Sequence, residues 1–108
     1  MQYERAVAGS VQQVLQNTPP KPENSISIYP NPSNGNCSVA FGLVAGGFAQ
    51  VDLYDMTGRF IRRVWSGELE KSVTFNANLD VSALADGMYI VRMVSGKISK
   101  STKLLLRH

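Results

Sequence analysis

Along most of the chain after residue 25, apolar positions alternate with polar ones, the period-two pattern of strands that bury one face. Cys37, Val39 and Phe41 are separated by Ser38 and Ala40; Ala49, Val51 and Leu53 by Gln50 and Asp52; Tyr89, Val91 and Met93 by Ile90 and Arg92. Between these runs, Asp55-Met56-Thr57-Gly58 predicts a tight hairpin, Asp86-Gly87 a turn, and Ser95-Gly96 the closing hairpin. The strand from Arg59 to Ser66 is less regular: Phe60, Ile61, Val64 and Trp65 break alternation around Arg62-Arg63, which predicts a bulge. Val73 and Phe75 restart a strand, whereas Leu79, Val81 and Leu84 read as a short irregular crossover. With Ser25 to Tyr29 at the start and Ile98 to Leu106 at the end, about seven short strands predict an all-β domain, an Ig-like antiparallel sandwich over residues 25–108.

Upstream the period changes. Tyr3, Val7, Val11, Val14 and Leu15 recur at near-helical spacing, predicting a helical segment within residues 1–16. It reads either as a partner-binding amphipathic element or as the tail of an upstream domain. Pro19, Pro20 and Pro22 end it and predict a semi-rigid, Pro-rich linker over 17–24. Glu4 and Arg5 interrupt the opening residues, so no signal peptide is read there, and the chain reads as a piece of a longer protein.

The segment Tyr29-Pro30-Asn31-Pro32-Ser33-Asn34-Gly35 is the densest turn signal. Each proline fixes its own φ and biases the residue before it towards extended backbone, and Asn34-Gly35 supplies positive φ. The expectation is a rigid surface turn without a titratable group, in which Ser33 is an ordinary hydroxyl.

Composition narrows function mainly by exclusion. Hydrophobic residues at 44% with 18% charged are ordinary for a globular domain, and no apolar run reaches the roughly 18 residues that span a bilayer. A net charge of +3 is spread along the chain rather than gathered with stacking aromatics, which argues against nucleic acid as a partner. A single cysteine, Cys37, cannot form an internal disulfide. The one histidine, His108, sits where a chain end frays, and neither a metal-ligand cluster nor a nucleophile with its base can be assembled. Asp52, Asp55, Glu68, Glu70, Asp80 and Asp86 are dispersed, and Asp55 and Asp86 read as turn caps. The reading is therefore non-enzymatic, with no cofactor. Tyr54 and Trp65 are the candidates for a sugar-stacking platform.

Three motifs in order, Ile28 to Gly35, Val51 to Arg59 and Leu84 to Arg92, followed by a basic and aliphatic tail, resemble the C-terminal sorting domain of type IX secretion cargo in Bacteroidota. The resemblance covers residues 25–107 and rests on the combination of motifs. It implies an Ig-like sandwich that directs an upstream cargo through the periplasm and across the outer membrane to the cell surface or beyond. Its implied partners are the outer-membrane translocon and a sortase-like peptidase that removes the domain, in many members with attachment of the cargo to anionic lipopolysaccharide. On this sequence, Pro30, Asn31, Pro32 and Gly35 match the first motif, Gly87 and Tyr89 the Gly-x-Tyr motif, and Lys100, Lys103 and Arg107 the basic tail. Gly87 is expected to permit a turn conformation and Tyr89 to anchor the penultimate strand in the core. Cleavage is expected within the linker, with Asn24-Ser25 the favoured bond. Two other readings stay open on the residues alone: a fibronectin type III-like adhesion module, and a carbohydrate-binding module, which requires coplanar exposed aromatics.

Overall fold

The computed structural model describes residues 23–108. The helix expected within 1–16 and the linker up to residue 22 lie outside the described residues. The described residues run as seven strands: β1 (Ser25–Tyr29), β2 (Asn36–Gly42), β3 (Gly47–Asp55), β4 (Phe60–Leu69), β5 (Phe75–Asp80), β6 (Gly87–Ser95) and β7 (Ile98–Leu106). They form a three-stranded sheet of order β1-β2-β5 and a four-stranded sheet of order β4-β3-β6-β7, antiparallel throughout. The all-β sandwich expected from the alternation is thus the observed fold.

Alternation positions the core. Val39 and Phe41 on β2 face Val51 and Leu53 on β3, Val91 and Met93 on β6, and Leu104 and Leu106 on β7, all fully buried. Each such side chain contributes on the order of 1.5–3 kcal/mol relative to exposure, so the shared inner face is what holds the two sheets together. β4 carries two bulges, at Val51/Asp52 and Leu53/Tyr54 of its partner strand, as its broken alternation predicted. The residues without a register partner, Val64 and Ile61, both turn against the core. The same bulges let Trp65 tilt across Phe41 at 5.2 Å and Phe75 at 4.9 Å between ring centroids.

Two local expectations are corrected. The fifth strand is Phe75–Asp80, so Leu79 belongs to it and pairs with Cys37 across β2; Val73 lies before the strand and is exposed. The signal was weak because the inward positions are filled by a small residue, Ala77, and by Leu79 alone. β4 extends to Leu69, past Ser66, because Gly47, Phe48 and Ala49 keep pairing with its far end.

Candidate functional site

Strand direction brings the distant motifs together. β1, β3, β5 and β7 finish at one end of the sandwich, where β2, β4 and β6 begin, as the pairs Asn36 with Asp80, Asp55 with Tyr89 and Gly87 with Leu106 show. The turn 30–35, the hairpin 55–59, the connection 81–86 and the tail at Arg107 therefore share that end. The chain enters β1 at the opposite end. The nine residues of β3 separate the two ends by roughly 26 Å at about 3.3 Å per residue.

The first motif is stitched to the last strand. Asn31 Nδ2 donates to the Lys103 carbonyl at 2.8 Å, and Asn31 Oδ1 accepts from the Leu105 N–H at 3.0 Å. The Ser33 N–H donates to the Leu105 carbonyl and the Arg107 N–H to the Ser33 carbonyl, both at 2.9 Å. These bonds occupy the outer edge of β7 from Lys103 to Arg107. Both bonds preceding Pro30 and Pro32 are cis. Ser33, read from sequence as an ordinary surface hydroxyl, is instead 1% exposed. Its Oγ donates to the Asn36 carbonyl and accepts from the Gly35 N–H, both at 3.1 Å. A buried hydroxyl needs such partners, and here they shape the turn.

Gly35 and Gly87 carry φ values of +143° and +151°, a region that favours glycine. At Gly35 a Cβ would also meet the Ser82 Cβ at 3.2 Å, while at Gly87 it would meet nothing, so conformation alone selects glycine there. The Val81 N–H donates to the Gly35 carbonyl at 2.7 Å and joins the first motif to the connection ahead of β6. Tyr89 is 8% exposed on the inner face, as expected, and its hydroxyl donates to the Ala85 carbonyl at 2.5 Å. That bond ties the start of β6 to its preceding turn, in the manner of the tyrosine corner of Ig-like sandwiches.

Three carboxylates secure the same end. Asp55 Oδ1 accepts from the Thr57 hydroxyl at 2.6 Å and from the Thr57 and Arg59 N–H groups at 2.9 and 3.0 Å. The Thr57 hydroxyl is the first cause holding the Asp55 carboxyl below its ordinary value. Asp80 is lowered by its bond from the Ser82 hydroxyl, at 2.6 Å. Asp86 is lowered chiefly by the His108 N–H, at 3.0 Å. The His108 ring, expected to lack any environment, has Nδ1 at 2.5 Å from Asp86 Oδ1 and Nε2 at 3.0 Å from the Ser82 carbonyl. An open cavity of about 390 Å³ lies between the second and third motifs, lined by Asp55, Arg59, Phe60, Ile61, Leu84 and Tyr89.

Of the residues singled out by sequence, Pro30, Asn31, Pro32, Gly35, Gly87, Tyr89 and Arg107 meet at this end. Lys103 is exposed beside Asn31, and Lys100 stands farther back, about 23 Å from Arg107 along β7. Asn24 and Ser25 lie at the opposite end, and both are engaged: Asn24 Oδ1 accepts from the Val44 N–H at 2.9 Å, and Ser25 pairs with Gly42. Tyr54 and Trp65 form no joint platform. Tyr54 lies on the outer face under the Arg92 guanidinium, 5.1 Å from its ring centroid, whereas Trp65 is turned inward against Phe41. Sequence reasoning missed Ser33, Asp80 and His108, whose partners are distant in sequence or set by backbone geometry.

No curated protein matches the chain. The family model described as the secretion system C-terminal sorting domain matches residues 27–107, a span that begins within β1 and ends one residue beyond β7. The chain therefore belongs to the family of type IX secretion C-terminal sorting domains.

Proposed function

We propose that the end where the motifs meet is the surface that the outer-membrane translocon reads. The observation that carries this reading is the gathering of three separated motifs and Arg107 at one end, while the cargo side of the chain enters at the other. A translocon can then engage the domain with the cargo still attached. Pro30, Asn31, Pro32 and Gly35 shape the turn, Gly87 and Tyr89 fix the connection beside it, and Lys103 and Arg107 add charge at its rim. Lys100 contributes charge from farther along β7.

After passage, a sortase-like peptidase removes the domain and the cargo is anchored at the cell surface. The favoured bond shifts from Asn24-Ser25 to residues 17–23, since a peptidase needs several residues in an unpaired extended form and Asn24 and Ser25 are committed to the fold.

Site-specific photocrosslinking tests the docking end. Tyr29 and Met56 project from the motif end with 79% and 52% exposure, and Phe48 from the opposite end with 51%. Crosslinkers at the first two positions should capture outer-membrane translocon components in a type IX-competent host, and one at Phe48 should not. Equal capture from both ends would contradict the proposal.

A further inference from the structure

Strand β7 is an edge strand, and its outer edge is divided. Asn31 and Ser33 occupy the stretch from the Lys103 carbonyl to the Arg107 N–H. Backbone groups alternate in direction along a strand, so the N–H and C=O groups of Ser99 and Ser101, and the N–H of Lys103, point to the same outer side. Among the described residues none of them has a partner, and Ser99, Lys100, Ser101 and Lys103 are exposed. The stretch has no proline or register shift to block pairing; what guards the edge is the charge of Lys100 and Lys103, which repels a like-charged strand and leaves the ladder open to an oppositely charged one.

Its side chains define what can pair with it. Ser99, Ser101 and Lys103 lie on the outer face opposite Val94, Arg92 and Ile90, and Lys100 on the other face opposite Met93. Cations thus flank the open ladder on both faces, with Arg92 next to Ser101. Opposite charges across a strand pair are favourable and like charges are not. In a second copy pairing antiparallel about Ser101, Lys100 would face Thr102 and Lys103 would face Ser99, with the two Lys100 side chains diagonal to each other, so no carboxylate would meet any of the four lysines and charge does not favour self-pairing.

We propose that Ser99 to Lys103 takes an extended acidic segment of a partner protein as a fifth strand on the sheet β4-β3-β6-β7. Two carboxylates three residues apart in that segment would meet Lys100 on one face and Lys103 on the other. That the partner belongs to the export machinery rests on the sorting reading; the strand pairing does not.

Amide exchange of the full chain, residues 1–108, tests the pairing with a defined probe. The probe is a blocked peptide of β-branched residues carrying two glutamates three positions apart, and its control carries lysines instead. The glutamate peptide should slow exchange at Ser99, Ser101 and Lys103 by on the order of tenfold, and the lysine peptide should not. Ser101→Pro removes an outward N–H, is tolerable at a strand edge, and should abolish the effect while Leu53 and Val91 stay protected. Should that variant not fold, Lys100→Glu with Lys103→Glu keeps the backbone and should reverse the preference to the lysine peptide. Unchanged exchange, equal slowing by both peptides, or protection that grows with concentration of the chain alone would overturn the proposal.

In cells, a reporter carrying Ser101→Pro in a folded domain should remain in the periplasm. Export equal to wild type would overturn the assignment of the partner to the export machinery. Failure of the wild-type fusion would instead count against the sorting reading, with the amide exchange still deciding the edge.

Discussion

The carboxamide of Asn31 stands in for a strand residue beside Leu105: its Oδ1 accepts the Leu105 N–H at 3.0 Å while its Nδ2 donates to the Lys103 carbonyl at 2.8 Å. A side chain of the first motif thereby continues the ladder of the last strand across 74 positions of sequence. The first motif and the tail are joined into one structural unit.

Asn31→Ala should therefore destabilise the domain by about 1–2 kcal/mol, the loss of two ordinary hydrogen bonds on a partly exposed edge. Chemical denaturation measures the shift. Amide exchange should accelerate at Leu105 and Arg107 by more than at Val51, a core-strand residue that reports only the global loss of stability. An unaltered Leu105 amide would show that the side chain is not what closes this edge.

Tyr89 combines a buried ring with one specific bond. Tyr89→Phe keeps the ring and loses the hydroxyl bond to Ala85, which should cost about 0.5–1.5 kcal/mol, whereas Tyr89→Ala also empties the inner face and should cost about 3–5 kcal/mol. The two denaturation midpoints should differ clearly. Equal small shifts would mean that the ring contributes nothing to the core.

Acid should loosen the motif end before the rest of the domain. Asp55, Asp80 and Asp86 all have folded values below the ordinary carboxylate range, through bonds from Thr57, Ser82 and His108 respectively. A carboxyl depressed in the folded state adds stability above its unfolded value of about 3.9, and that stability is lost as pH falls through the lower folded value. Amides of Thr57, Ser82 and His108 should consequently shift and lose protection, relative to their intrinsic exchange rates, below about pH 4, while Val44, bonded to the Asn24 carboxamide, should not. Uniform behaviour of the four amides would contradict this.

Processing should leave a clear signature. Mass spectrometry of the released domain should find its new N-terminus within residues 18–24, upstream of the committed Ser25. A cut inside β1 or after Pro30 would show that the peptidase acts on an unfolded domain.

The legible part of this fold is its inner face. Val51 and Leu53 on β3, and Val91 and Met93 on β6, obey strict alternation because each faces a single apolar layer, and the hairpin at Asp55 to Gly58 carries its turn chemistry locally. β5 was misplaced because Ala77 offers too little apolar contrast to mark an inward position. The site was legible as a set of residues and illegible as an arrangement. Asn31 and Lys103, Gly35 and Val81, and Asp86 and His108 meet only through strand direction and sheet order, which no local pattern encodes. Ser33 was missed for a related reason: its burial depends on β7 lying across it.

The most direct test of the account is where this domain sends a protein. A periplasmically exported reporter joined to residues 17–108 should cross the outer membrane of a type IX-competent host and appear at the surface or in the medium, and the same reporter without these residues should stay in the periplasm. A folded fusion retained in the periplasm alongside the unfused reporter would contradict it.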